Sequence, residues 1–226
     1  MTGDKIAARV RKYIFECFRA SGTPPVVEQV MTRFALTRGQ ATETLRELED
    51  AHHISLVPGT ARILMAFPFS AIATPFKVTV GGDQYFANCA WDAVAFHTML
   101  RQNVQVDSFC DHCAEPVRID LSEGRATLVE PAGAMVYLAR TPSHWWDDIT
   151  TTCGNTMVFF SSAEHRDASS LCETDGHGAS LTPAQVLALS EPIYATKFDL
   201  DYTRPTAAEL AAHFTEIGLT DPYWQR

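Results

Sequence analysis

Apolar residues at Ile6, Val10, Ile14, Cys17 and Phe18 recur at helical spacing and predict a first helix ending before Ser21-Gly22-Thr23-Pro24-Pro25. A second helix is expected from about Val26 to Phe34. Thr37-x-x-Gln40 forms a capping box for a third, with Leu45 and Leu48 turned inward. Ile54 to Val57, Pro58-Gly59-Thr60 and Ile63 to Met65 read as a hairpin. Three helices and a hairpin make a winged-helix-like pattern. Phe67-Pro68-Phe69-Ser70 and Thr74-Pro75-Phe76 form an aromatic, proline-broken connector apolar enough to pack against the second domain. Lys77 to Val80 is a short strand, with Gly81-Gly82 a turn before the next helix.

The stretch from Phe86 to Leu100 is almost wholly apolar, which predicts a buried helix, with Asn88 as its N-cap. Beyond it, Asn103 to Phe109, Arg118 to Leu121, Ala126 to Glu130, Met135 to Ala139 and Met157 to Phe160 read as strands, Glu123-Gly124 and Pro131-Ala132-Gly133 as turns. Arg166 to Gly178 turns polar and reads as a loop. Thr182-Pro183 opens a helix through Leu189, a last helix runs from about Thr206 to Ile217, and the tail from Gly218 is expected to be loose. The predicted class is α+β: a small N-terminal winged-helix-like three-helix domain over 1–76, then a mixed α/β domain over 77–226 with mainly antiparallel strands. No internal repeat or low-complexity tract interrupts it.

Composition narrows the function. Of 226 residues, 46% are hydrophobic and 20% charged, as in an ordinary globular protein with a sizeable core. A formal net charge of -9 argues against nucleic acid or an anionic membrane as partner. The third helix sharpens this: Arg38 and Arg46 are outnumbered by Glu43, Glu47, Glu49 and Asp50, a poor surface for phosphate, so the helical module reads as a scaffold. With no membrane-length apolar run and no signal-peptide core, the cytoplasm is the expected location. In that reducing setting six cysteines point to metal or redox chemistry before disulfides.

Cys89 and Asp92 stand three apart at the start of the buried helix and share a face, and the helix dipole there favours thiolate. The plainer reading is a small buried hydrophobe beside an acid that serves the dipole. Cys110-x-x-Cys113 is half of a zinc ribbon by spacing. The other half is missing, so a strand-end pair tied into local packing or a redox-labile dithiol is the better reading than a metal site, and His112 points elsewhere if both thiols bind. Cys153, in Thr150-Thr151-Thr152-Cys153-Gly154-Asn155, is expected in a polar turn before a buried strand, where functional thiols tend to sit. Cys17 falls on the core stripe of the first helix, and Cys172 lies in the polar loop. His52 and His53 read as surface at the domain junction, His97 as a buried hydrogen-bonder, and His144 and His165 as flanking the Cys153 region without ligand spacing.

Taken together, Asn88-Cys89-Ala90-Trp91-Asp92-Ala93, the Pro131-Ala132-Gly133 turn and Cys153 ahead of a Phe-Phe strand resemble the alkylmercury (organomercurial) lyase family. The N-terminal helices, with Pro58-Gly59-Thr60 and Phe67-Pro68-Phe69-Ser70, resemble that family's small helical domain. The resemblance covers about residues 5 to 165 and shows no clear match after about 166. It implies protonolysis of a carbon–mercury bond, with Cys89 and Cys153 as mercury-binding thiols, Asp92 as the proton-transfer carboxylate, and Cys113 in a structural role. It implies no cofactor, an organomercurial substrate, and low-molecular-weight thiols or mercuric reductase to take the Hg(II) product. Two departures stand out: Cys153 sits one residue further from its Phe-Phe strand than the pattern expects, and Cys110 adds a thiol near Cys113.

The chemistry is consistent with what such a site requires. A soft d10 ion selects thiolate, and a second thiolate raises the electron density on mercury so that carbon leaves as an incipient carbanion. That carbon needs a proton in place. An ordinary Asp has a pKa of about 3.9; a helix N-terminus lowers it and burial raises it, so Asp92 is expected to relay a thiol proton to carbon. Linear S–Hg–S binding calls for sulfurs roughly 4 to 5 Å apart, about twice a metal–sulfur bond. The competing readings are a non-catalytic thiol-based metal binder, such as a sensor or metallochaperone, and a winged-helix regulator sensing metal through the same cysteines.

Overall fold

In the computed structural model, which describes residues 3–173 and 178–225, three helices open the chain: α1 (Gly3–Ser21), α2 (Val27–Phe34) and α3 (Arg38–Asp50). The inward stripe of α1 is Val10, Ile14, Phe15 and Phe18, all buried, and it packs against α3. The Thr37 capping box is formed in both directions, Gln40 N–H donating to Thr37 Oγ1 at 3.3 Å and Thr37 N–H to Gln40 Oε1 at 2.9 Å. Strands β1 (Ser55–Leu56) and β2 (Ile63–Ala66) form the expected hairpin. The connector adds β3 (Phe69–Ser70) to its edge. Phe69 stacks on Phe18 at 5.2 Å and meets Phe96 edge-on at 4.8 Å, so the aromatics of this connector join the first helix to the interior of the chain.

A five-stranded antiparallel sheet comes next, ordered β5-β4-β6-β7-β8: β4 (Lys77–Val80), β5 (Asp83–Phe86), β6 (Val104–Phe109), β7 (Pro116–Ser122) and β8 (Arg125–Glu130). Strand β5 departs from the expectation that Gly81-Gly82 runs straight into the helix. Both glycines have positive φ, 60° and 97°, the geometry of a tight hairpin turn. The returning edge strand begins with exposed Asp83 and Gln84, so its alternation is weak. Helix α4 (Ala90–Leu100) lies in the interior with every residue buried. His97, near its end, accepts from Gly124 N–H at 2.9 Å and lies 2.6 Å from the Gln102 carbonyl, as a buried hydrogen-bonder should.

The second sheet has order β10-β9-β11: β9 (Met135–Leu138), β10 (Met157–Phe160) and β11 (Ala179–Leu181). Helix α5 (Ile149–Thr156) leads directly into β10. The stretch from Arg166 to Gly178 is not simply a loop. Helix α6 (Ala163–Asp167) runs into it, α7 (Ser170–Glu173) lies within it, and 174–177 fall outside the described residues. The next helix, α8 (Pro183–Tyr194), continues five residues past the expected end at Leu189, despite Pro192. Proline lacks the N–H that would bond the Ala188 carbonyl, and His213 Nε2 meets that carbonyl at 2.9 Å instead.

His213 belongs to α9 (Ala207–Glu216), and the tail beyond it is packed rather than loose. Leu219, Tyr223 and Trp224 are buried, Trp224 lies 4.9 Å from the Phe214 ring, and Tyr223 donates to the Arg140 carbonyl. Those apolar side chains are what hold the segment down. Among the described residues no helix is long and apolar enough to cross a membrane.

Candidate active site

The N-terminus of α4 is capped by Cys89 and not, as expected, by Asn88. Cys89 is extended (φ -155°, ψ 176°), and its Sγ accepts the Asp92 N–H at 3.3 Å. Asn88 is unavailable because its amide donates to the Pro68 carbonyl and to Asp92 Oδ2, each at 3.1 Å. Capping folds the Cys89 thiol back over the first turn, beside the carboxylate. On its other oxygen, Oδ1, Asp92 accepts from the Tyr194 hydroxyl at 2.5 Å, at the last residue of α8. Asp92 is 1% exposed, so its carboxylate relies on these fixed donors.

Cys153 also sits differently from expectation, inside α5 rather than in a turn. Asp148 caps this helix, accepting from Thr151 N–H at 3.0 Å and Thr151 Oγ1 at 2.7 Å, and Thr156 Oγ1 donates back to the Thr152 carbonyl at 2.7 Å. Three successive threonines and a glycine carry a weak helical signal, and the cap overrides it. One ligand atom each from Cys89, Asp92 and Cys153 lies within 4.8 Å of the others, with all three residues buried. Helix α5 therefore brings Cys153 to the start of α4.

Burial dominates the electrostatics. It pushes the Cys89 thiol well above its usual range, and the Cys153 and Asp92 charges add to the effect. Cys153 is favoured by a hydrogen bond from Cys89, which burial and the Asp92 charge outweigh, so it too is raised. Burial raises the Asp92 carboxyl against the opposing pull of Tyr194, Lys197, Asn88 and Cys89. Lys197 is 3% exposed; burial and the Arg204 charge bring it down to about 7 against the attraction of Asp92. Its ammonium donates to the Phe67 carbonyl at 2.8 Å and lies 4.6 Å from the Tyr194 ring centre.

A largely apolar pocket reaches these groups, walled by Phe67, Trp91, Trp145, Trp146, Ile149 and Met157. Trp91 is fixed by a 2.9 Å bond from its indole N–H to Ser190 Oγ. At the rim Arg204 lies 4.3 Å over Trp146, whose ring stacks on His52 at 3.8 Å. His52 and His53 are thus half-buried rather than surface residues, covered by the segment around Tyr202 and Arg204. The supporting residues Tyr194, Lys197 and Arg204 all lie after 166, outside the motifs from which the resemblance is read.

A second thiol cluster stands apart from this pocket. Cys110, Cys113 and His165 each place one ligand atom within 4.8 Å of the others. Burial pushes the Cys110 thiol up, but hydrogen bonds from Ser161 and from the backbone N–H groups of Cys113 and His112 outweigh it and bring the thiol down to about 7. His165, expected near Cys153, belongs to this cluster.

Residues 69–195 match the family model of alkylmercury lyase, from β3 to just past α8, so the likeness runs beyond the expected limit near 166 and takes in Tyr194. The chain is 28% identical to the alkylmercury lyase of Bacillus cereus over 63% of its own length and 62% of the relative's. It is 30% identical to that of Streptomyces lividans over 64% of each chain. These alignments span less than two thirds of the relatives. A crystal structure of the mercury-bound form of MerB2 shares the fold, with a TM-score of 0.69 at 19% identity over 84% of this chain and 88% of that one. With more than half of its length matched by the family model, the chain belongs to the alkylmercury lyase family.

Proposed function

We propose that the protein is an organomercurial lyase. It cleaves the carbon–mercury bond by protonolysis, with Cys89 and Cys153 as mercury ligands and Asp92 as proton carrier. The observation that carries this reading is the convergence of two buried sulfurs and a buried carboxylate within 4.8 Å, a spacing that suits linear S–Hg–S binding with an acid alongside. The apolar walls suit the organic group of the substrate. Of the two thiols, Cys153 is the easier to ionise, because Cys89 donates a hydrogen bond to it and Lys197 lies near.

The steps balance. The substrate arrives as R–Hg–SR′, a thiol adduct. One enzyme thiol displaces R′S, which leaves as R′SH with that thiol's proton. The second thiol binds mercury and passes its proton to Asp92, and Asp92 delivers it to carbon as the bond to mercury breaks. The products are R–H and Hg(II) held by the two thiolates. Burial suits Asp92 to the relay, because it raises the carboxyl's affinity for the proton it takes from the thiol. Low-molecular-weight thiols or mercuric reductase then remove the ion, which fits a reducing, cytoplasmic setting with all the described cysteines free.

The test is incubation with phenylmercury and excess thiol, following benzene. Wild type should release it. Asp92→Ala should retain mercury while losing about 10²- to 10⁴-fold in rate, the usual worth of a positioned acid–base group. A wild-type protein that binds mercury and releases nothing would replace this reading with that of a non-catalytic thiol-based metal binder.

A further inference from the structure

The knuckle after β6 and the helix after β10 meet at a point the proposed chemistry does not use. Cys113 Sγ lies 3.4 Å and Cys110 Sγ 4.0 Å from His165 Nδ1, and Ser161 Oγ lies 2.7 Å from the same nitrogen and 3.9 Å from Cys113 Sγ. A tetrahedral ion with bonds of about 2.3 Å to sulfur and about 2.0 Å to nitrogen sets S···N at about 3.5 Å. The two observed separations bracket that value.

From this geometry we propose that Cys110, Cys113 and His165 form a second metal site, one that takes a thiophilic d10 cation of the Zn²⁺ or Hg²⁺ kind. Two sulfurs and one imidazole nitrogen form the donor set such ions select over oxygen. The backbone is already shaped for it. Cys110 N–H donates to the Glu115 carbonyl at 2.8 Å and Ala114 N–H to the Cys110 carbonyl at 2.9 Å, closing a tight turn with Ala114 at φ 60°.

The knuckle is tied to the neighbouring sheet by Asp111 N–H donating to the Phe159 carbonyl at 2.9 Å. On the other side, the Ser162 cap accepts His165 N–H at 3.2 Å and fixes the start of α6. Cys110 is fully buried and Cys113 is exposed, so the ion is gripped from within and its fourth position faces solvent. Cys153 lies in the helix before β10 and His165 in the helix after it, and the two clusters share no residue. The two sites are therefore distinct.

The test uses the full chain, reduced and metal-free, in a Cys89→Ser/Cys153→Ser background, so that its outcome is independent of the lyase reading. One arm titrates Co²⁺, a spectroscopic stand-in, followed by Zn²⁺ competition; the other titrates Hg²⁺. One ion per chain in at least one arm is expected, with thiolate-to-cobalt absorption in the first arm if Zn²⁺ is the ion. Which arm binds names the ion. Cys113→Ser, at an exposed position, and His165→Gln should each weaken that binding by at least about tenfold. Should the double background fail to fold, the same two substitutions in the otherwise unaltered chain serve, read as loss of one bound ion per chain. Binding in neither arm, binding indifferent to both substitutions, or a Cys110–Cys113 disulfide that survives reductant would overturn the proposal.

Discussion

The Tyr194 hydroxyl donates to Asp92 Oδ1 at 2.5 Å, joining the last residue of α8 to the first turn of α4. It favours the ionised carboxylate against burial. Tyr194→Phe removes that support and moves the titration of Asp92 to higher pH. We expect the acidic limb of the pH–rate profile to move the same way, with a rate loss of about 10- to 100-fold, as for other groups that orient a ligand. A fall in rate with no movement of the profile would assign Tyr194 a packing role alone.

Single Cys89→Ser and Cys153→Ser variants separate capture from cleavage. Each keeps one soft ligand, so mercury should bind through one sulfur and exchange readily with glutathione. Wild type should retain Hg(II) under the same competition. Equal retention by all three proteins would show that the two sulfurs do not act on one ion.

Lys197 governs a stability window. Its folded pKa of about 7 lies below the ordinary 10.5. Between those values the unfolded chain binds the extra proton, so the lysine's contribution makes stability rise with pH from about 7 towards 10. Lys197→Met should flatten that slope in melting curves collected across this range. A variant with an unchanged slope would place the lysine's titration elsewhere.

His213→Ala tests the repair at Pro192. Without the imidazole the half-buried Ala188 carbonyl loses its partner, at about 0.5–1.5 kcal/mol. For a chain of this size that corresponds to roughly 2–4 °C in melting temperature per kcal/mol. Changing Pro192 to Ala in the same variant restores an N–H to the helix and should recover part of the loss.

The central helix is legible in the sequence because the run from Ala90 to Leu100 is mostly apolar and offers no continuous polar face, and the Cys89–Asp92 spacing follows from helical geometry. Its cap is not, because asparagine is the better intrinsic capper, and only the Pro68 carbonyl, twenty residues earlier, draws the Asn88 amide away. Cys153 reads as a turn residue because threonine and glycine are weak helix formers, and the Asp148 cap that rescues the helix lies outside the motif. Tyr194, Lys197 and Arg204 carry no local signature at all. They matter through contacts with residues about a hundred or more positions away, which no periodicity records. His165 is hidden for the same reason: its cysteines lie in the turn between β6 and β7, more than fifty residues earlier.

Cys89 caps one helix and Cys153 lies within another, and among the described residues their sulfurs are free. An ion bridging them would act as a removable clasp between two separately anchored segments, so the enzyme still carrying Hg(II) should melt at a higher temperature than the emptied one. Turnover would then be limited by how fast outside thiols can unfasten that clasp, and the protein would be at its most rigid when it has just finished its work.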